Sequence, residues 1–262
     1  MKRSALGGIL LAVLGICAGL LLDGGKIGQM LQPTAALIVF GGTIGAVIVQ
    51  FPLPLVLQAI VQLKVVFLGQ EDHAPKLIED LTRYTLRARK HGMLSLDSEL
   101  EKIEDPFLRQ CLTHAVDGIR PADLRETMEI VMDAAADKEE SMAGVFDAAG
   151  GFAPTVGILG AVIGLIQVMQ RLENITEVGK GIAVAFVATL YGVGSANLFF
   201  LPCAGRIRSN MQRRQTLREL VLEGVVAVME KSTPRALEKR LAIYLDGVRQ
   251  APTAAPTPVV VQ

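Results

Sequence analysis

Tryptophan is absent from this chain of 262 residues and tyrosine occurs only 3 times, so any aromatic belt at a membrane interface must be thin. Cysteine is nearly as scarce. Cys17, Cys111 and Cys203 lie far apart, which leaves no disulfide framework and no clustered thiols for a metal. An excess of either charge is missing too: 26 lysines and arginines balance 26 aspartates and glutamates. No segment pairs a basic stripe with aromatic residues, so nucleic acid is excluded as a partner. There is no phosphate-binding glycine loop, nucleophile elbow or zinc motif. The histidines, His73, His91 and His114, stand apart in polar sequence and read as solvated surface residues rather than ligands. The chain is therefore expected not to be an enzyme and to use no cofactor or metal.

What is present is apolar sequence gathered into blocks. Hydrophobic residues make up 51% of the chain and the mean hydropathy is +0.42, the pattern of an integral membrane protein. A helix needs about 17–25 apolar residues to cross a bilayer. Candidate spans run from Ser4 to Leu22, Thr34 to Gln50, Gly150 to Gln170 and Gly181 to Leu201. The short linkers "DGGKIGQMLQP" and "RLENITEVGK" join them into two hairpins. The expected fold is an all-α integral membrane protein with four transmembrane helices and a large helical cytoplasmic insert between the second and third. Its parts are a first hairpin at 1–50, a cytoplasmic helical domain with an interfacial helix at 51–149, and a second hairpin at 150–202. C-terminal cytoplasmic helices at 203–249 and a disordered tail at 250–262 complete it. The first span also admits a signal-peptide reading through "LGIC", but bulky Ile16 fits a cleavage site poorly and a second span follows at once.

Orientation follows from basic residues. Lys2 and Arg3 precede the first span, and Arg206, Arg208, Arg213, Arg214 and Arg218 follow the fourth with no acidic residue from Pro202 to Arg218. Both short linkers are charge-balanced. Both termini and the insert from Phe51 to Ala149 are expected on the cytoplasmic side of the bacterial inner membrane. Within the insert, Leu53 to Gly69 is apolar except for Gln58, Gln62 and Lys64 on one side, which suits an interfacial amphipathic helix or, alternatively, packing in a soluble core. Leu77, Leu81, Tyr84 and Ala88 fall at helical intervals in a helix that should stop near Gly92. Further helices are expected from around Ser95, after Pro106 and after Pro121, where proline suits a first turn. The last of these runs through Glu126–Phe146 to the foot of the third span.

Small residues recur four apart in every span: Gly15 and Gly19, Gly41 and Gly45, Gly160 and Gly164, then Ala188, Gly192 and Ala196. That spacing lets backbones approach closely. Thr155 and Thr189 add hydroxyls, which either line a path or simply bond back to their own helix. The stretch "APTVGILGAVIGLIQVM" from Ala153 contains no charged residue and no histidine. If its helix walls an ion path, the group that holds the ion must come from elsewhere. In "LRARKHGMLSLDSELE", Arg87, Arg89 and Lys90 end one helix while Asp97, Glu99 and Glu101 begin the next. Such placement favours the helix dipoles by about 0.3–1 kcal/mol each, and it also makes a bipolar surface for a charged partner.

"GGTIGAVI" at Gly41, "RARKHGMLSLD" at Arg87, "APTVGILGAVIGL" at Ala153 and "ATLYGVGSAN" at Ala188, in this order, resemble the flagellar motor stator subunits of the motility protein A (MotA) family. The likeness extends from about Ala5 to Tyr244. It implies an ion channel, formed with a MotB-like partner, that converts ion-motive force into torque on the rotor protein FliG. The implied assembly is a pentamer of this chain around a dimer of single-span, peptidoglycan-binding partners, in contact with membrane lipid. The ion-carrying aspartate then belongs to the partner. By motif position the resemblance assigns Thr189, with Thr155 and Ala161, to the ion path. It assigns Pro154 and Pro202 to coupling, and Arg89, Lys90, Asp97 and Glu99 to rotor contact. Sodium-driven relatives carry threonine at the positions of Ala161 and Ala188. Sodium needs several oxygen ligands where a proton needs one carboxylate, so protons are expected, with a sodium-driven stator as the alternative. ExbB/TolQ-like energisers share the last two pore helices but have three spans. A solute transporter would require internal repeats that the spans do not show, and a scaffold without ion flow is the remaining alternative.

Overall fold

The computed structural model describes residues 4–68 and 74–250. Expectations for Lys2, Arg3, His73 and the tail beyond Gln250 fall outside the described residues. Among the described residues ten α-helices follow one another: α1 Ser4–Leu22, α2 Pro33–Gln50, α3 Leu53–Leu68, α4 Ala74–His91, α5 Asp97–Leu100, α6 Pro106–Val116, α7 Pro121–Gln170, α8 Ile175–Ser195, α9 Leu201–Met229 and α10 Pro234–Gln250. No strand occurs among the described residues.

Local chemistry sets most boundaries. Proline opens α2, α6, α7 and α10, where its missing N–H is not needed. The Asp105 side chain accepts from the Leu108 N–H at 2.8 Å and caps α6. α4 ends where Gly92 takes φ 82°, a left-handed conformation open to glycine. The expected helix from Ser95 is mostly a 3-10 turn, Met93–Leu96, before the single turn of α5. The third span has no separate start, because α7 runs unbroken for 50 residues through Pro154. α8 begins at Ile175, six residues before the expected Gly181, because the Asn174 side chain accepts from the Thr176 N–H at 3.1 Å. Nor does the helical course stop at Leu201: a π-helical turn, Ala196–Phe200, leads directly into α9. Pro202 lacks the N–H that would serve the Leu198 carbonyl, and a π turn is one way for a helix to absorb that gap.

The chain divides into two compact units. One comprises Met1–Gln70 and Glu140–Ile207, the other Glu71–Glu139 and Arg208–Gln262. In the first, among the described residues, three helices are long and apolar enough to cross a membrane, α2 and parts of α7 and of the α8–α9 course, and α1 is apolar as well over Gly7–Leu22. α3 belongs to this unit. Its Val56, Ala59 and Val66 are buried against Ala143, Phe146, Cys203 and Ala204, while Leu57, Ile60 and Val61 on its other side are exposed. The second unit has an ordinary side-chain core: Leu81, Leu96, Leu108, Leu112, Leu124, Met128, Leu220 and Leu237 are all fully buried. Cys111 lies in that core, and burial, with the nearby Asp105 charge, pushes its thiol up to about 12, which keeps it protonated and inert.

Candidate functional site

The apolar hairpin is built on backbone contact. A Cβ placed on Gly157 would lie 2.9 Å from the Ala188 carbonyl oxygen, and one on Gly192 would lie 2.5 Å from that of Ala153. At Gly164 the obstacle is the Ala185 nitrogen at 2.9 Å, and at Gly181 a methyl of Val168 at 2.6 Å. Ala153, Gly157, Gly160 and Gly164 of α7 thus mesh with Gly192, Ala188, Ala185 and Gly181 of α8. With lipid outside there is little hydrophobic force to join two apolar helices, so close packing between small residues has to do it. The four-apart pattern found Gly160 and Gly164 but missed Gly157, which enters through mixed three- and four-residue steps. In α1 and α2 the same pattern meets no neighbour within this chain. Nothing lies within 4 Å of a Cβ at Gly15, Gly19, Gly41 or Gly45, whereas Gly42 meets a Val156 methyl at 2.7 Å.

The hydroxyls share one arrangement. Thr155 donates to the Phe152 carbonyl at 2.8 Å and Thr189 to that of Ala185 at 3.3 Å. Each proton is committed to its own helix, so each oxygen turns acceptor lone pairs outward. Thr155 is exposed, while Thr189 and Ala161 are half-buried. Ala188 is fully buried and its methyl lies 2.7 Å from a Cβ built on Gly160, so an added oxygen there would meet α7. The spacing gave no sign of two further polar groups. Thr43 on α2 is buried and its hydroxyl has no hydrogen-bond partner among the described residues. Tyr191 donates its hydroxyl hydrogen to the Met30 carbonyl at 2.5 Å and accepts from the Gln32 N–H at 3.3 Å. It thereby pins the linker between α1 and α2 to α8, while its ring stacks on Phe40 at 6.0 Å.

The prolines bracket this region. Pro154, half-buried in α7, leaves the Gly150 carbonyl without its helical donor. Gly150 is packed against Leu201 and Phe200, where its Cβ would lie 2.6 Å from a Leu201 methyl. Pro202, exposed, is the second residue of α9 directly after the π turn.

In the second unit the charged cluster separates into two kinds of residue. Arg87 bonds Glu99 at 2.6 Å and Ser98 at 3.1 Å, and Lys102 reaches Glu99 at 3.4 Å. Burial works against the Glu99 charge, but Lys102 and Arg87 outweigh it and hold its carboxyl below the ordinary range. Arg89, Lys90 and Asp97 are instead exposed and form no ion pair among the described residues. Arg87, Glu99 and Lys102 line a charged cavity of about 730 Å³, and its other cations are matched internally: Lys76 to Glu104 at 2.8 Å and Arg83 to Asp80 at 2.6 Å. No group of three or more potential metal ligands occurs among the described residues.

Two family profiles match this architecture. Residues 6–91 match the motility protein A N-terminal family, and residues 99–220 match the MotA/TolQ/ExbB proton channel family. Motility protein A of Bacillus subtilis is 34% identical over 246 residues, covering 94% of this chain and 91% of the relative. The chemotaxis protein PomA of Vibrio alginolyticus is 29% identical, covering 87% and 89%. The solved MotAB structure of C. jejuni superposes with a TM-score of 0.89 at 29% identity, covering 98% of this chain and 100% of that one. The flagellar MotAB stator complex from Bacillus subtilis gives 0.86 at 33% identity, covering 95% and 100%. A helical membrane protein with these spans and this likeness belongs to the motility protein A family.

Proposed function

We propose that this chain is a stator subunit of a bacterial flagellar motor. With a MotB-like single-span partner it forms a proton path in the inner membrane and converts ion flow into torque on the rotor. The observation that carries the proposal is the α7–α8 wall: it is closely packed, offers the acceptor oxygens of Thr155 and Thr189, and holds no ionisable residue from Ala153 to Met169. An ionisable group inside a membrane is costly and occurs where it is used and partnered. A wall without one suits a carboxylate supplied by the partner's helix. When that carboxyl is protonated it can donate to a threonine oxygen whose own hydrogen is already engaged.

Several observations support the rest. The arginines after Pro202 support a cytoplasmic side for the C-terminal helices, the N-terminus and the second unit. Pro154 and Pro202 sit where the helical ladders of α7 and α9 are interrupted, the positions at which a change in the path would be passed along these helices. Exposed Arg89, Lys90 and Asp97 form the rotor-facing surface, with Glu99 fixing its neighbour Arg87. Ala161 supplies no oxygen to the path, which favours protons over sodium. One charge crossing 100 mV releases about 2.3 kcal/mol, a small step suited to repeated small rotations. A pentamer of this chain around a partner dimer is the assembly proposed.

The test is motility in a cell lacking its own stator, supplied with this chain and its partner while sodium and pH are varied. Swimming should follow the proton gradient and ignore sodium. Thr189→Val and Pro154→Ala should stop rotation while the chain still reaches the membrane. Normal swimming of both variants would overturn the assignment of these sites, and sodium-dependent swimming would overturn the choice of ion.

A further inference from the structure

The first unit contains a cavity that the ion path does not use. Its volume is about 320 Å³, at the lower end of the ~300–1,000 Å³ range of small-ligand sites. Ile9 and Ala12 of α1, Phe67 of α3, Leu198 of the π turn and Pro202 of α9 supply an apolar wall. The charged group in this lining is Arg206. Its side chain is half-buried, its Nε is buried without a hydrogen-bond partner, and it forms no ion pair among the described residues.

A guanidinium held this way is incomplete. Arginine presents a planar fork of donors that matches phosphate and carboxylate oxygens, and a buried donor left without an acceptor is costly. The sequence provides no carboxylate nearby on the same helix, since no acidic residue occurs from Pro202 to Arg218. The remaining walls are apolar except for the Cys203 thiol and Asn197, whose amide donates to the Val193 carbonyl at 2.9 Å. An occupant must therefore combine an anionic head with an apolar tail, and the helices that form the slot belong to the unit carrying the membrane-crossing segments.

We infer that this slot is a binding site for an anionic phospholipid, with the phosphodiester on Arg206 and the beginning of an acyl chain along Ile9, Ala12 and Phe67. Basic pockets between membrane helices on the cytoplasmic side recognise anionic headgroups in this way. The slot touches the π turn and Pro202, so the lipid would brace the point where the helical course from α8 into α9 departs from regular geometry. The inference rests on the chain's being a membrane protein and not on the motor reading, and it stands or falls separately from the motility test.

The experiment uses the full chain with its partner, purified in mild detergent and stripped of lipid. Native mass spectrometry counts the lipids retained on titration with phosphatidylglycerol, phosphatidylcholine or inorganic phosphate. Phosphatidylglycerol should bind about tenfold more tightly than phosphatidylcholine, which has the same phosphodiester but a choline cation that opposes Arg206. Arg206→Gln should remove that preference, and Ala12→Phe, which fills the slot without touching the charge, should weaken both lipids. Inorganic phosphate at millimolar concentration should not displace the lipid. Equal binding of the two lipids, or unchanged binding by both variants, would overturn the inference. So would full displacement by inorganic phosphate, which would make this a simple anion site. Efficient disulfide formation between copies carrying Ala12→Cys would do the same, by showing that a second chain covers the slot.

Discussion

The two units of this chain are held together by opposite means. In the first, α7 and α8 touch through glycine and alanine, with backbone atoms in contact at Gly157, Gly164 and Gly192. In the second, large side chains fill the interior, with Leu81, Leu108, Leu112, Leu124 and Leu220 fully buried. Ion pairs crosslink that interior: Arg125 chelates Glu223, which also meets Arg240 at 2.6 Å, and Glu139 lies 3.4 Å from both Arg214 and Arg218. Water drives large apolar groups together, whereas lipid does not, and helices within it associate by fit. The same residue type therefore has different value in each unit. Leucine makes the core of one and the exposed face of the other, where Leu159, Leu165 and Leu190 lie open.

This contrast breaks most sharply at Gly192. Gly192→Val would push a Cβ to 2.5 Å from the Ala153 carbonyl oxygen and 3.0 Å from the Gly157 Cα, which only separation of the helices relieves. Rotation should be lost in the complementation assay. Gly194→Ala, where nothing lies within 4 Å, should leave it intact. A wild-type swim by Gly192→Val would mean that the small-residue contact does not hold this unit. Next in size is Leu81→Ala in the second unit. Removing a fully buried leucine costs about 2–5 kcal/mol, measurable as a lower thermal midpoint by circular dichroism. The swimming defect should be partial and worse on warming.

Acid should divide the units as well. Arg125, with Arg240, holds the Glu223 carboxyl below its ordinary range against the opposing effect of burial. A depressed carboxyl stabilises the fold fully above the unfolded value, about 4.3, and that stabilisation disappears as pH falls through the depressed folded value. Burial raises Glu219 instead, so its protonation on acidification favours the fold and offsets part of the loss. Hydrogen exchange corrected for intrinsic rates should show α9 and α10 opening below pH 4 in the wild type. Glu223→Gln should remove most of that dependence, and exchange in the α7–α8 contact should hardly change. The smallest effect belongs to the surface. Lys76→Ala breaks an exposed pair with Glu104 in which both partners are largely solvated, and exposed pairs contribute little. No resolvable change in the thermal midpoint is expected.

Much of the fold was legible because hydropathy and helix punctuation act locally. The first two spans, the stop at Gly92 and the starts at Pro106 and Pro121 were readable from apolar length, glycine and proline. Details that depend on a neighbouring helix were not. Gly157 was hidden because its partners, Ala188 and Thr189, lie on another helix. The spacing at Gly15 and Gly41 looked the same as that at Gly160, although only the last meets a helix within the chain. Arg87 and Arg89 are adjacent in composition but point to different sides of α4, so sequence could not tell that Arg87 is tied to Glu99 while Arg89 is exposed without a pair. Nor could it show that Thr43 would be buried unpaired or that Arg206 would close an apolar slot.

In the stator proposed above, the wall of the ion path and the titrating acid reside on different polypeptides. Proton flux into liposomes under an imposed potential separates the possibilities, comparing the chain alone, the chain with its partner, and the complex with the aspartate that the resemblance implies on the partner's membrane helix changed to asparagine. Flux is expected only in the unmodified complex. Comparable flux through the chain alone, or through the asparagine complex, would contradict it.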